Sequence, residues 1–177
     1  MALPDPHTAQ AAGPSRYTIK VITPQDREEA IQKARVDIAA SALSAEAHFD
    51  LAFALSSTDR LDEATAEFKE ALRLDPNHVE AHIDLGIILN DAGDAEAAIG
   101  EWTTAIRLSP ENDDAHLFLG NALSERGQIQ EARTEWAKVI EINKKRFPLY
   151  TWAEISQILN VREATQKLNN PSTPGDG

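Results

Sequence analysis

Alanine stands at positions 64, 98 and 132, at intervals of 34 residues, and an aromatic follows each four places later: Phe68, Trp102 and Trp136. The same interval relates Leu51, Leu85 and Leu119, then Leu74, Leu108 and Ile142, and then His48, His82 and His116. Gly86 and Gly120 keep the step, with Ala52 in the first position, and Pro76 and Pro110 keep it, with Lys144 in the third. A period of this size is the mark of a stacked array, in which each unit buries its apolar face only against its neighbours. Three units follow: residues 45–78, 79–112 and 113–146.

Each unit reads as two helices. In the second, Asn77 is placed to cap the first helix, with Glu80 three residues on. Ala81, Leu85, Ile88 and Leu89 then share one helical face. Gly93 can take a left-handed backbone and end that helix, and Asp94 can start the next. Ala98, Trp102, Ala105, Ile106 and Leu108 form the second buried stripe. Ser109-Pro110 closes it, because proline disfavours helix in the residue before it. Gly86, Gly120 and Ala52 are small so that two helix axes approach closely, and the large aromatics fill the space beside them.

The stretches Ala-Glu-Ala-His-Phe-Asp-Leu-Ala (45–52), Ala-Leu-Arg-Leu-Asp-Pro-Asn (71–77) and Glu-Ala-His-Ile-Asp-Leu-Gly (80–86) resemble the tetratricopeptide repeat family. The resemblance spans residues 45–146. It departs at the fourth place of each unit, where the family often has Trp and this chain has His, and at Lys144. It implies an all-α, right-handed solenoid of three helix-turn-helix repeats.

The register extends backwards to Ala30, 34 residues before Ala64. Thr23-Pro24 is a strong helix start, with Thr as cap and Pro in the first turn. One helix over residues 24–43, within a capping region 23–44, is therefore expected as the second half of a degenerate unit. Before it, residues 17–22 (Tyr-Thr-Ile-Lys-Val-Ile) alternate like a strand. Either they lie extended on the first helix or they form a motif offered to a partner. Residues 1–15 and 169–177 are rich in Pro, Gly, Ser and Asn, and disorder is expected there. After the third unit, residues 147–168 have helical character, with Trp152, Ile155, Ile158 and Leu159 on one side. A capping helix or helix pair is the first reading. The second is a DNA-binding regulator, since residues 149–170 contain a helix-turn-helix-like run around Ser156, Asn160 and Val161. Polar Gln166 and Asn169 and the nearby Pro171 count against it.

Charge narrows the function. Seventeen Lys and Arg face 29 Asp and Glu, a net charge of -12. Such a surface repels phosphate backbones, so nucleic acid is disfavoured and basic partner segments are favoured. Cysteine is absent, which removes thiolate metal sites and thiol nucleophiles. No apolar run reaches the roughly 20 residues of a membrane span, and no secretory leader is evident, so a cytoplasmic protein is expected. His48, His82 and His116 lie a repeat apart, roughly 10 Å between stacked helices, too far to share a metal. No catalytic constellation or phosphate loop appears, and neither enzyme activity, cofactor nor metal is expected.

The resemblance places a binding groove on the first helix of each unit. Carried over by position, its candidates are Glu46, Phe49, Asp50 and Phe53 from the first unit. The second gives Ile83, Asp84, Ile87, Asn90 and Asp91. The third gives Asp114, Leu117, Phe118 and Asn121. Packing between helices is an equal reading for the apolar ones. Relatives that grip the acidic C-terminal tail of the Hsp70/Hsp90 chaperones need basic residues here. Phe49, Phe53, Asp84, Asp114 and Phe118 are not basic, so that tail is not the expected ligand. The expected partner is a protein or peptide that is apolar with basic flanks, and the expected role is an adaptor, such as an assembly factor.

Overall fold

The computed structural model describes residues 23–41 and 44–147. The expectations for residues 1–22 and for residues 148–177, including the helix-turn-helix-like run, fall outside them. Seven helices follow in order: α1 (Pro24–Ala40), α2 (Ala45–Ser56), α3 (Leu61–Leu74), α4 (Val79–Asp91), α5 (Ala95–Leu108), α6 (Asp113–Glu125) and α7 (Ile129–Arg146). Each helix packs on the next, and α4 also touches α6. The described residues form an all-α stack of paired helices.

Local chemistry sets the helix ends. Thr23 caps α1 through a reciprocal pair: its hydroxyl accepts from the Asp26 N–H at 3.1 Å, and its own N–H donates to Asp26 Oδ2 at 2.8 Å. The helix ends at Ala40, earlier than the pattern predicts, because Ser41 turns extended and its N–H closes on Asp37 O. The cap of α4 is His78, not Asn77: His78 Nδ1 accepts from the Ala81 N–H at 3.3 Å. Asn77 is drawn into the preceding turn, where its N–H donates to Asp75 Oδ1 at 3.0 Å. Ser44 and Asn112, one repeat on either side of His78, cap α2 and α6 in the same way.

The turn inside each unit needs one left-handed residue. Gly93 (φ 88°) and Gly127 (φ 77°) supply it at no steric cost. Asp59 fills the same place in the first unit at φ 63°. The turn between units depends on proline. Helices α3 and α5 both stop two residues before Pro76 and Pro110. Lys144 stands where the third proline would be, and α7 runs on to Arg146, whose guanidinium grips Asp113 at 3.0 and 3.2 Å.

The core is the contact between the two helices of each unit. Ala64, Phe68 and Ala71 on α3, Ala98, Trp102 and Ala105 on α5, and Ala132, Trp136 and Val139 on α7 are all buried. A Cβ built on Gly86 would lie 2.5 Å from Trp102 Nε1, and one on Gly120 would lie 2.6 Å from Trp136 Cδ1. Glycine there lets the indole lie flat on the facing helix.

Candidate functional site

The first helices of the units, α2, α4 and α6, carry the candidate groove. The structure divides the candidates into three sets. Phe49 and Ile83 belong to the core, 7% and 6% exposed. Phe49 stacks on His78 at 4.6 Å between ring centres and sits beside Phe68 at 5.8 Å. Its burial has a positional reason: it faces Phe68 of α3 and the His78 cap of α4 rather than solvent. Leu117 packs partly against the Trp136 cluster.

A second set lines a depression of about 160 Å³ between α4 and α6: Ile87, Asn90, Asp91, Phe118 and Asn121, joined by Trp102, Ala122 and Glu125. Phe118 lies over Trp102 with centres 5.7 Å apart and planes tilted by 19°. The Asn121 carbonyl accepts from Trp136 Nε1 at 3.1 Å, so this side chain holds the indole as well as facing the depression. Glu125 was not among the sequence candidates. It lies one helical turn beyond Asn121 on the same face, and that spacing is the signal that would have found it.

The third set lies at the other end. Asp50 and Phe53 line a larger cavity of about 390 Å³ together with Asp26, Arg27, Ala30, Lys33, Ala34 and Asp37 of α1. Phe53 is 53% exposed, which is unusual for phenylalanine. It stacks loosely on Phe49 at 6.4 Å, so the core supports its inner edge while its outer face meets water. Burial pushes the Asp50 carboxyl above the usual range, and the Glu46 charge adds to this, while Lys33 pulls the other way. The sequence candidates all lie on the first helices of the units, and the contribution of α1 comes from its packing on α2. Glu46 and Asp114 are exposed, and Asp84 is half-buried between these regions. The combined surface is acidic with two partly exposed phenylalanines.

The recurring histidines do a different job. Nδ1 of His48, His82 and His116 lies 2.6 Å from Glu67, Glu101 and Glu135 respectively. Each pair ties the first helix of a unit to its second. Among the described residues no group of three or more His, Cys, Asp and Glu is arranged to hold a metal ion. No described helix is long and apolar enough to cross a membrane.

Comparison with known proteins agrees with this architecture. Two family models described as tetratricopeptide repeat match residues 45–78 and 83–147, together more than half of the chain. Solved structures give the same fold. A crystal structure of MamA superposes with a TM-score of 0.65 at 24% identity, covering 68% of this chain and 71% of that one. A second structure of MamA protein gives 0.62 at 23%, covering 71% and 68%. A MamA RS-1 ArsTM double mutant gives 0.62 at 17%, covering 82% and 83%. No curated protein matches the sequence.

Proposed function

Because this chain belongs to the tetratricopeptide repeat family, a family of protein–protein interaction scaffolds, we propose that it is a non-enzymatic adaptor that seats a partner segment along α2, α4 and α6. The observation that carries this reading is Phe53, half-exposed on that face, with Asp50 beside it in the same cavity. An exposed aromatic costs hydration free energy unless something covers it, and aromatics dominate the energetics of interfaces. Phe118, on the wall of the second depression, offers another anchor along the same surface. Asp50 shares the cavity of Phe53 and Asp91 the depression of Phe118, exposed Glu46 and Asp114 stand on the same first helices, and the whole chain carries -12.

That chemistry suits a segment with apolar side chains and basic flanks. The aromatics supply affinity by burial, and the acidic rim speeds encounter and rejects acidic partners. An acidic chaperone tail would meet like charge here. The reading makes this a cytoplasmic assembly or scaffolding factor.

The test is affinity capture from cell extract with the wild-type chain and with Phe53→Ala/Phe118→Ala as baits, at two salt concentrations, alongside circular dichroism. Proteins held by the wild type should be lost by the variant, since a buried aromatic anchor is worth about 2 kcal/mol or more. Their capture should also weaken as salt rises. A variant with an intact helical signal that retains the same proteins would exclude this face as the binding site.

A further inference from the structure

The depression of about 160 Å³ lies between the C-terminal halves of α4 and α6. Small-molecule sites run from about 300 to 1,000 Å³, so this one has room for a single side chain. Ile87 and the Phe118 ring form its apolar part, backed by the buried Trp102. Its charged lining is Asp91 and Glu125, both exposed, and no Lys or Arg lines it.

These two carboxylates stand where a helix least tolerates them. Asp91 is the last residue of α4 and Glu125 the last of α6. A helix C-terminus carries the negative end of the dipole, which repels an acid and favours a cation. The second helices obey that rule, with Arg73, Arg107 and Lys144–Arg146 in the last turns of α3, α5 and α7. Helices α4 and α6 have no basic residue there. Neither Asp91 nor Glu125 makes an ion pair with a described side chain, whereas Glu63, Glu70 and Glu141 each hold one. Arg126, next to Glu125, turns instead to Glu96 at 3.2 Å. Two acids and two helix ends thus converge on an aromatic-walled depression with no cation to balance them.

We propose that this depression takes one arginine side chain of the partner segment. The reading deepens the groove function above and rests on it for the segment that carries the arginine. A guanidinium is planar, weakly hydrated and rich in donors, so it can serve both carboxylates and still lie against a ring. An ammonium is a compact, strongly hydrated charge and fits less well. The apolar stem of arginine covers Ile87 and Phe118. Asn121 Oδ1 already accepts from Trp136 Nε1 at 3.1 Å and keeps a lone pair for a further donor. One repeat earlier, the places of Phe118 and Asn121 hold Asp84 and Ile87. The combination therefore marks one step of the stack, and the arginine sets the register of the segment along the groove.

The test titrates the isotope-labelled full chain with N-acetyl-arginine N-methylamide, an arginine with an uncharged, peptide-like backbone, and follows amide resonances by NMR. Saturable shifts are expected at Asp91, Phe118 and Glu125 and at the side-chain amides of Asn90 and Asn121. The citrulline counterpart keeps the shape and loses the charge. It should bind at least about tenfold more weakly, as hydrogen bonds to charged groups require, with the lysine counterpart in between. Asp91→Asn/Glu125→Gln should weaken arginine binding by a similar factor. Its melting temperature should be unchanged or higher, because it removes acids from two helix C-termini. Asp62→Asn/Glu131→Gln removes the same charge from exposed places on α3 and α7 and should leave binding intact. No saturable shift at the depression, or equal binding of arginine and citrulline, would overturn the proposal. So would tighter binding of free L-arginine, whose own carboxylate should be repelled here, since that would mark a small-molecule site. The probe needs no partner, so its result is separate from that of the groove. Extract proteins lost by Phe53→Ala/Phe118→Ala but kept by Asp91→Asn/Glu125→Gln would leave the groove standing and strike the arginine.

Discussion

His82 Nδ1 lies 2.6 Å from Glu101 Oε2, and its Nε2 lies 3.1 Å from the carbonyl oxygen of Pro76. Both partners are acceptors, and only the imidazolium donates from both ring nitrogens. His116 repeats the arrangement with Glu135 at 2.6 Å and Pro110 O at 3.1 Å. Each charged ring thus fastens three pieces of its unit: the first helix, the second helix and the turn before them.

A pH dependence follows. Burial by itself pushes these imidazoles down, and Arg107 near His82 and Lys138 near His116 do the same. The carboxylates of Glu101 and Glu135 and the two carbonyls outweigh that and hold both pKa values above the ordinary histidine value. A raised folded-state pKa contributes stability that is complete below the unfolded value, near 6.5, and is lost as pH rises through the folded value. The melting temperature should therefore be higher at pH 6 than at pH 8, in a window where carboxylates stay ionised. His82→Gln/His116→Gln should flatten that dependence. An equal slope in this variant would show that the histidines are not its source.

The close approach of Gly86 and Gly120 to tryptophan predicts a paired mutational effect. Gly86→Ala puts a methyl 2.5 Å from the Trp102 ring nitrogen. It should destabilise by about 1–3 kcal/mol through overpacking. The first unit already shows the compensated pair, Ala52 with Phe68, both fully buried. Adding Trp102→Phe to Gly86→Ala should recover part of the loss in chemical denaturation, whereas Trp102→Phe alone should cost stability by leaving a void.

Asp59 predicts a change of opposite sign. It holds φ at 63°, where its counterparts in the next two units are glycine. A side chain in this region costs up to about 1–2 kcal/mol, less for Asp than for most residues. Asp59→Gly should therefore leave stability unchanged or raise it by up to about 1 kcal/mol, read from urea midpoints at constant slope. Asp59→Val should lower it, because a β-branched side chain fits that backbone poorly.

Much of the fold was legible because the repeat copies the same physical problem three times. The 34-residue interval identified Ala64, Ala98 and Ala132 with their aromatics as core, and all six are buried. Gly93 in the turn and proline at 76 and 110 act locally, so their consequences could be read from the chain, while Gly86 and Gly120 were legible because the repeat pairs each with an aromatic on the facing helix. The one-residue error at His78 is of another kind. Asn77 and His78 can both cap, and the choice rests on Asp75 capturing the Asn77 N–H in the turn.

For the groove, sequence determined which helix carries each candidate but not how far each side chain reaches solvent. Phe49 and Phe53 lie one turn apart on α2, yet one is 7% exposed and the other 53%. Helical periodicity assigns both to nearly the same side. Only the placement of α1, α3 and α4 around α2 separates them, because burial depends on which neighbours arrive from elsewhere in the chain. The cavity beside Phe53 has the same origin. Sequence placed α1 in register with the second helices of the units, and only the packing of α1 on α2 decided that Asp26, Asp37 and Asp50 share one cavity with Phe53.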